Sequence, residues 1–118
     1  MIKQYPIARD DAIYECFPDI AAAPDGTLVC VYRESAHHAD LNNSRLVFRR
    51  SADGGRHWSE KTALTPVGTP VFAYNCPRVS TLPDGSMAIL CDIFDRRAES
   101  ADSRVFLYHG GHPLGVRP

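Results

Sequence analysis

Pro18-Asp19-Ile20-Ala21-Ala22-Ala23-Pro24-Asp25-Gly26-Thr27-Leu28 and Pro77-Arg78-Val79-Ser80-Thr81-Leu82-Pro83-Asp84-Gly85-Ser86-Met87 write one pattern twice. Counterparts lie 59 residues apart, and the same offset carries Ser44-Arg45-Leu46 onto Ser103-Arg104-Val105. Upstream, Tyr14-x-Cys16 echoes Tyr74-x-Cys76 with a slip of one residue. One offset holding across separated blocks marks an internal repeat, and a period of this size signals supersecondary units stacked on one another. The chain therefore divides into a first unit, residues 1–66, and a second, residues 67–118.

Each unit reads as β. Residues 19–23 form a short apolar strand, and Pro24-Asp25-Gly26 is a tight turn in which Pro fixes φ, Asp caps and Gly takes a positive φ. Thr27 to Tyr32 is β-branched and apolar, so the pair makes a hairpin. A polar loop from Glu34 to Asn43 leads to a third strand, Ser44 to Arg50, and the turn at Ala52-Asp53-Gly54-Gly55 leads to a fourth near Thr62 to Thr65. No helical periodicity competes. Four antiparallel strands per unit, repeated, is the pattern of a propeller blade. The expected fold is all-β: a partial β-propeller of about two four-stranded antiparallel blades. A seven-strand sandwich would leave the repeat unexplained. The second blade is expected to be incomplete, with the chain stopping at Pro118 before a fourth strand.

Composition narrows the function classes. With 118 residues, 44% hydrophobic and 23% charged, the chain is one small ordered domain. Thirteen Lys and Arg against fourteen Asp and Glu leave no basic surface for nucleic acid. No stretch approaches the ~20 apolar residues that cross a bilayer. No secretory h-region is visible, which leaves the location open with a lean toward the cytoplasm. The four cysteines form no CxxC pair and no zinc spacing. Cys30 and Cys91 sit in apolar runs and read as buried thiols, while a Cys16–Cys76 disulfide stays open. His37-His38 with Asp40 does not read as a metal site, because adjacent histidines point apart and no third ligand is spaced for it. No metal and no cofactor are expected.

Ser51-Ala52-Asp53-Gly54-Gly55-Arg56-His57-Trp58 fits Ser-x-Asp-x-Gly-x-x-Trp and resembles the Asp box, or BNR repeat, of sialidases. Asp53 can accept hydrogen bonds from the N–H groups of its own turn, Gly55 can take a left-handed conformation, and Trp58 can fold a large ring over the hairpin. Tyr108-His109-Gly110-Gly111-His112-Pro113-Leu114 is a degenerate second box, with His109 for the Asp and Leu114 for the Trp. The resemblance implies a six-bladed propeller when complete. It also implies a glycoside hydrolase acting on terminal acidic sugars, with arginines holding the substrate carboxylate and an Asp protonating the leaving oxygen. The alternative is a non-catalytic Asp-box propeller that binds carbohydrate or serves as a scaffold.

The resemblance points to one end of the blades. Asp40, in the loop before the third strand, is the candidate acid, and Arg33, His38, Arg78 and Asp19 are the candidate sugar contacts. Asp19 and Arg78 occupy one repeat position and are expected to start inner strands at that end. Ser51, Asp53, Gly55 and Trp58 are structural and belong at the other end. The family's Arg two residues before the inner-strand Pro is replaced by Cys16 in the first unit and Asn75 in the second. Two blades do not close a ring. The expected partners are therefore a carbohydrate and either further blades of the same chain or other copies of it, with the isolated segment inactive.

Overall fold

The computed structural model describes residues 1–95 and the backbone of 104–109 and 112–117. Eight strands follow in order: β1 (Tyr14–Ala22), β2 (Leu28–Ser35), β3 (Arg45–Ser51), β4 (Thr62–Ala63), β5 (Phe72–Thr81), β6 (Met87–Asp95), β7 (Arg104–His109) and β8 (His112–Arg117). They form two four-stranded sheets, β1-β2-β3-β4 and β5-β6-β7-β8, in which sequence neighbours pair antiparallel. The fold is all-β, with no helix among the described residues.

The repeat survives in atomic detail at the first turn of each unit. Gly26 N–H donates to Ala23 O and Gly85 N–H to Leu82 O, both at 2.9 Å. Asp25 accepts from Thr27 N–H and Asp84 from Ser86 N–H, again both at 2.9 Å. Both glycines have φ of 85°, a region closed to most side chains, which is why the dipeptide Asp-Gly recurs.

Three sequence expectations are corrected, the strand starts, the missing fourth strand and the length of β4, and the open question of a Cys16–Cys76 disulfide is answered. The first strand begins at Tyr14, not at residue 19, and β5 begins at Phe72. Pro18 and Pro77 read as strand boundaries because proline cannot join a ladder, but each is absorbed in a bulge: the register shifts between Cys16 and Asp19 and between Asn75 and Arg78. Asp19 and Arg78 therefore lie within their strands, past the bulge. The second sheet also has its fourth strand, since β8 pairs with β7. A hairpin needs only two connecting residues, and Gly110-Gly111 was the sequence signal for it. Of the degenerate box, the Gly110-Gly111 centre and the side chains lie outside the described residues. Finally, Cys16 and Cys76 are not bridged, and all four cysteines are free. β4 is shorter than expected, although Leu64 N–H to Leu46 O continues its ladder by one bond.

The two sheets pack face against face. Val29 and Val31 of β2 meet Val79 of β5, with Phe48, Met87 and Ile89 around them. Leu46 meets Cys91 and Ile93. Alternation puts Cys30, Tyr32 and Val47 on the opposite face of the first sheet, where Ile7, Ala8 and Trp58 cover them. Both faces of β2 are thus covered, and every residue from Val29 to Ser35 is buried. Two polar links stitch the seam: Val79 N–H donates to Asp19 Oδ2 at 2.9 Å, and Thr81 Oγ1 donates to Ala22 O at 2.6 Å.

Candidate functional site

Strand direction alternates, so the N-terminal ends of β1 and β5, the C-terminal ends of β2 and β6 and the β2–β3 loop share one end of the molecule. The register places Arg33 beside Cys16 and Leu46 there, while Ser51 pairs with Leu28 at the far end.

Arg33 is the centre of that end. It is 1% exposed, yet none of the described residues gives it an ion pair. Its Nη1 donates to Asn75 Oδ1 and its Nη2 to His38 O, both at 2.7 Å, while Nε has no partner among the described residues. The guanidinium carbon stands 5.2 Å from the centroid of the Phe17 ring. Neutral acceptors and a ring face are weak compensation for a buried cation. The neighbouring Glu34 shows the ordinary solution. Alternation turns it to the opposite face, where Arg45 Nε and Lys61 Nζ both bond it. Burial pushes the Glu34 carboxyl up, but the hydrogen bonds from Lys61 and Arg45 outweigh it, and the group ends below the usual carboxylate range.

The bulges build the rest. Phe17 has φ of 53° and Cys76 φ of 44°, at equivalent repeat positions and each immediately before a proline. A non-glycine residue there is strained, more so ahead of proline, and such strain clusters where a side chain must be re-aimed. In the first unit the bulge sets Phe17 over Arg33 and against the His38 ring, 5.7 Å between centroids. Tyr14 shares a hydrogen bond of 3.1 Å with His38 Nδ1. Burial pushes the Cys16 thiol up, with Arg33 pulling it back. Burial and Asp92 push the Cys76 thiol up, with Arg33 and Arg78 pulling it back.

Arg33 and His38 are thus brought together. Asp40 lies in the same loop, half-buried, its N–H donating to His37 O and its carboxylate without a side-chain partner among the described residues. Arg78 is exposed, and its Nη1 donates to Pro77 O at 3.3 Å. Asp19 is used in the seam. Sequence reasoning missed Tyr14 and Phe17, and named Asn75 only as the residue standing where the family has an Arg. The echo Tyr14-x-Cys16/Tyr74-x-Cys76 and the X-Pro dipeptides inside apolar runs were the available signals.

At the far end, Ser51 Oγ donates to Asp53 Oδ1 and accepts from Gly55 N–H, both at 2.9 Å. Asp53 Oδ1 also accepts from Arg56 and His57 N–H, and Trp58 Nε1 donates to Gly55 O at 3.1 Å. The His57 N–H and then its ring hold the Asp53 carboxyl far below the usual range. The Ser51, Asp53, His57 and Trp58 side chains all close on their own turn, so the box builds a hairpin. A groove of about 560 Å³ between the sheets also opens toward this end, lined chiefly by Val29, Phe48, Leu64, Met87 and Ile89. No three His, Cys, Asp or Glu side chains among the described residues cluster as a metal site, and no described helix is long and apolar enough to cross a membrane.

No family model matches the chain, and no curated protein is similar to it in sequence. Among solved structures it is similar to a protein of unknown function from Dyadobacter fermentans DSM 18053, with 19% identity and a TM-score of 0.60. The match covers 89% of this chain and 25% of that one. At this identity the likeness is one of fold.

Proposed function

We propose that the two sheets are adjacent blades of a sialidase-like Asp-box β-propeller, six-bladed when complete, whose bulged end binds a terminal acidic sugar. Three observations support the propeller: a four-stranded meander repeated at a fixed offset, face-to-face stacking of the two copies, and a matched neighbour about four times as long as the matched segment. The Asp box between β3 and β4 supports the family.

The observation that carries the function is Arg33, a buried guanidinium without a carboxylate among the described residues. A planar fork with no ion-pair partner among the described residues is suited to a carboxylate brought by a ligand. His38 and Asn75 are placed for sugar hydroxyls, Asp40 for the leaving oxygen, and Arg78 for a second contact to the acid. Cleavage of the glycosidic bond then needs a nucleophile from further blades, so the segment binds and does not hydrolyse.

The competing reading is a carbohydrate-binding or scaffold propeller without catalysis. It is favoured by the occupation of both Arg33 terminal nitrogens, which makes the residue a clamp between loop and second sheet. Titration calorimetry with N-acetylneuraminic acid, against a neutral hexose, separates the readings. The account expects binding of the acid alone, weakened about 10- to 150-fold in Arg33→Met by loss of a charge-assisted contact. Equal affinity for both sugars, or no binding of either, overturns the acidic-sugar reading.

A further inference from the structure

Nη2 and Nε–H form the side edge of a guanidinium, one of the two edges that grip a carboxylate through parallel hydrogen bonds. In Arg33 that edge is half plugged: Nη2 is capped by the carbonyl of His38, while the buried Nε has no hydrogen-bond partner among the described residues. We infer that the His38 carbonyl is an autoinhibitory plug, and that a ligand carboxylate displaces it and lifts residues 36–40 away from the sheet. The inference rests on the acidic-sugar reading and adds how that site is regulated.

The attachments on either side of the plug differ in kind. Asn75, which caps Nη1, stands in the β5–β6 ladder opposite Asp92, so its backbone is held in place. The far limb of the loop is pinned as well. Ser44 Oγ donates to Leu41 O, Asn43 N–H donates to Gly68 O, and Gly68 N–H donates to Ser44 O. Gly68 sits so close that a Cβ there would stand 2.5 Å from Leu41 O.

Residues 36–40 have no such frame. Besides the local Asp40 N–H to His37 O turn, their described hydrogen bonds are three: Ser35 Oγ to His37 O, Arg33 Nη2 to His38 O, and Tyr14 with the His38 ring. Tyr14 and Phe17 also touch that ring, edge-on at 5.8 Å and tilted at 5.7 Å. A segment held by a few side-chain contacts, between two fixed points, is the part that opens at least cost. Exchange of a neutral carbonyl for a carboxylate favours opening, because charge-assisted hydrogen bonds are roughly twice as strong as neutral ones. Lifting the loop also moves His38 and Asp40 out of their closed positions, so occupation of the cation sets where these two candidate sugar contacts stand in the bound state.

The test combines amide hydrogen exchange with titration, using N-acetylneuraminic acid on the wild-type chain and on Tyr14→Phe, which removes one latch contact without touching Arg33. Saturating ligand is expected to speed exchange across 36–40, while the β5 amides at 74–76 stay protected. Tyr14→Phe is expected to bind the acid about fivefold more tightly, the effect of one weakened hydrogen bond in the closed state. Binding that leaves 36–40 unchanged or more protected overturns the plug and leaves the acidic-sugar reading standing. So does an unchanged affinity in Tyr14→Phe. Absence of binding by both proteins overturns the reading and the plug together.

Discussion

The two ends of each unit have diverged to different degrees. At the turn end, Pro24-Asp25-Gly26 and Pro83-Asp84-Gly85 keep the same residues, the same hydrogen bonds and the same φ. At the bulged end the backbone device is kept, with positive φ at Phe17 and Cys76, but the side chains are exchanged: Cys16 for Asn75, Phe17 for Cys76, Asp19 for Arg78, Arg33 for Asp92. A scaffold repeats what its backbone requires. Where the geometry is preserved and the chemistry is not, the residues answer to something other than folding.

The comparison breaks first at the seam, where the largest effect is expected. Leu46 is 1% exposed between the sheets, and Leu46→Ala should cost about 3 kcal/mol by denaturant unfolding. A loss under about 1 kcal/mol would mean the two units do not fold as one body. Next is the buried ion network on the opposite face. Glu34→Ala leaves Arg45 and Lys61 without their anion, but both are partly hydrated, so about 2 kcal/mol is expected rather than the full cost of an orphaned buried charge. The same carboxyl sets an acid limit. Its folded-state pKa lies below the unfolded value, so the unfolded chain binds the proton first. The Glu34 contribution is complete above the ordinary carboxylate value of about 4.3 and is lost as pH falls from there through the lowered folded value. Unfolding curves from pH 6 to 3 should show this slope in the wild type and a shallower one in Glu34→Gln.

The smallest effect sharpens the comparison most. Gly26→Ala and Gly85→Ala force an L side chain into φ of 85°, and each should cost about 1 kcal/mol. The backbone part of the loss is expected to be equal, and Gly85→Ala the costlier of the two, because a Cβ there would stand 3.1 Å from Pro24 Cγ while one at Gly26 meets nothing within 4 Å. A larger loss in Gly26→Ala than in Gly85→Ala would mean that the repeat is one of sequence and not of energetics.

Much of this was legible in the chain. The repeat, the Asp-Gly turns and the β2 and β3 strands followed from pattern, because turn chemistry is local and alternation has a fixed period. The bulges were not legible. Pro18 and Pro77 signal the end of a ladder, and only pairing with β2 and β6 shows the strand continuing past them. That misreading moved Asp19 and Arg78 to strand starts and hid Tyr14 and Phe17. Arg33 was visible as a candidate, but its lack of an ion-pair partner among the described residues was not. Glu34 follows it directly, and only the alternation of β2 sends the two charges to opposite faces.

The central claim is that Arg33 is kept for a ligand at a cost to the fold. Arg33→Met removes a buried charge, offsetting the lost bonds to Asn75 and His38 with the desolvation it relieves. Paired denaturant unfolding of wild type and Arg33→Met, each with and without N-acetylneuraminic acid, tests it directly. The account predicts equal or higher stability in the variant without ligand, to within about 1 kcal/mol, and loss of the stabilisation that the acid gives the wild type. A variant destabilised by more than about 2 kcal/mol, with its response to the acid intact, would make Arg33 a structural clamp and contradict the account.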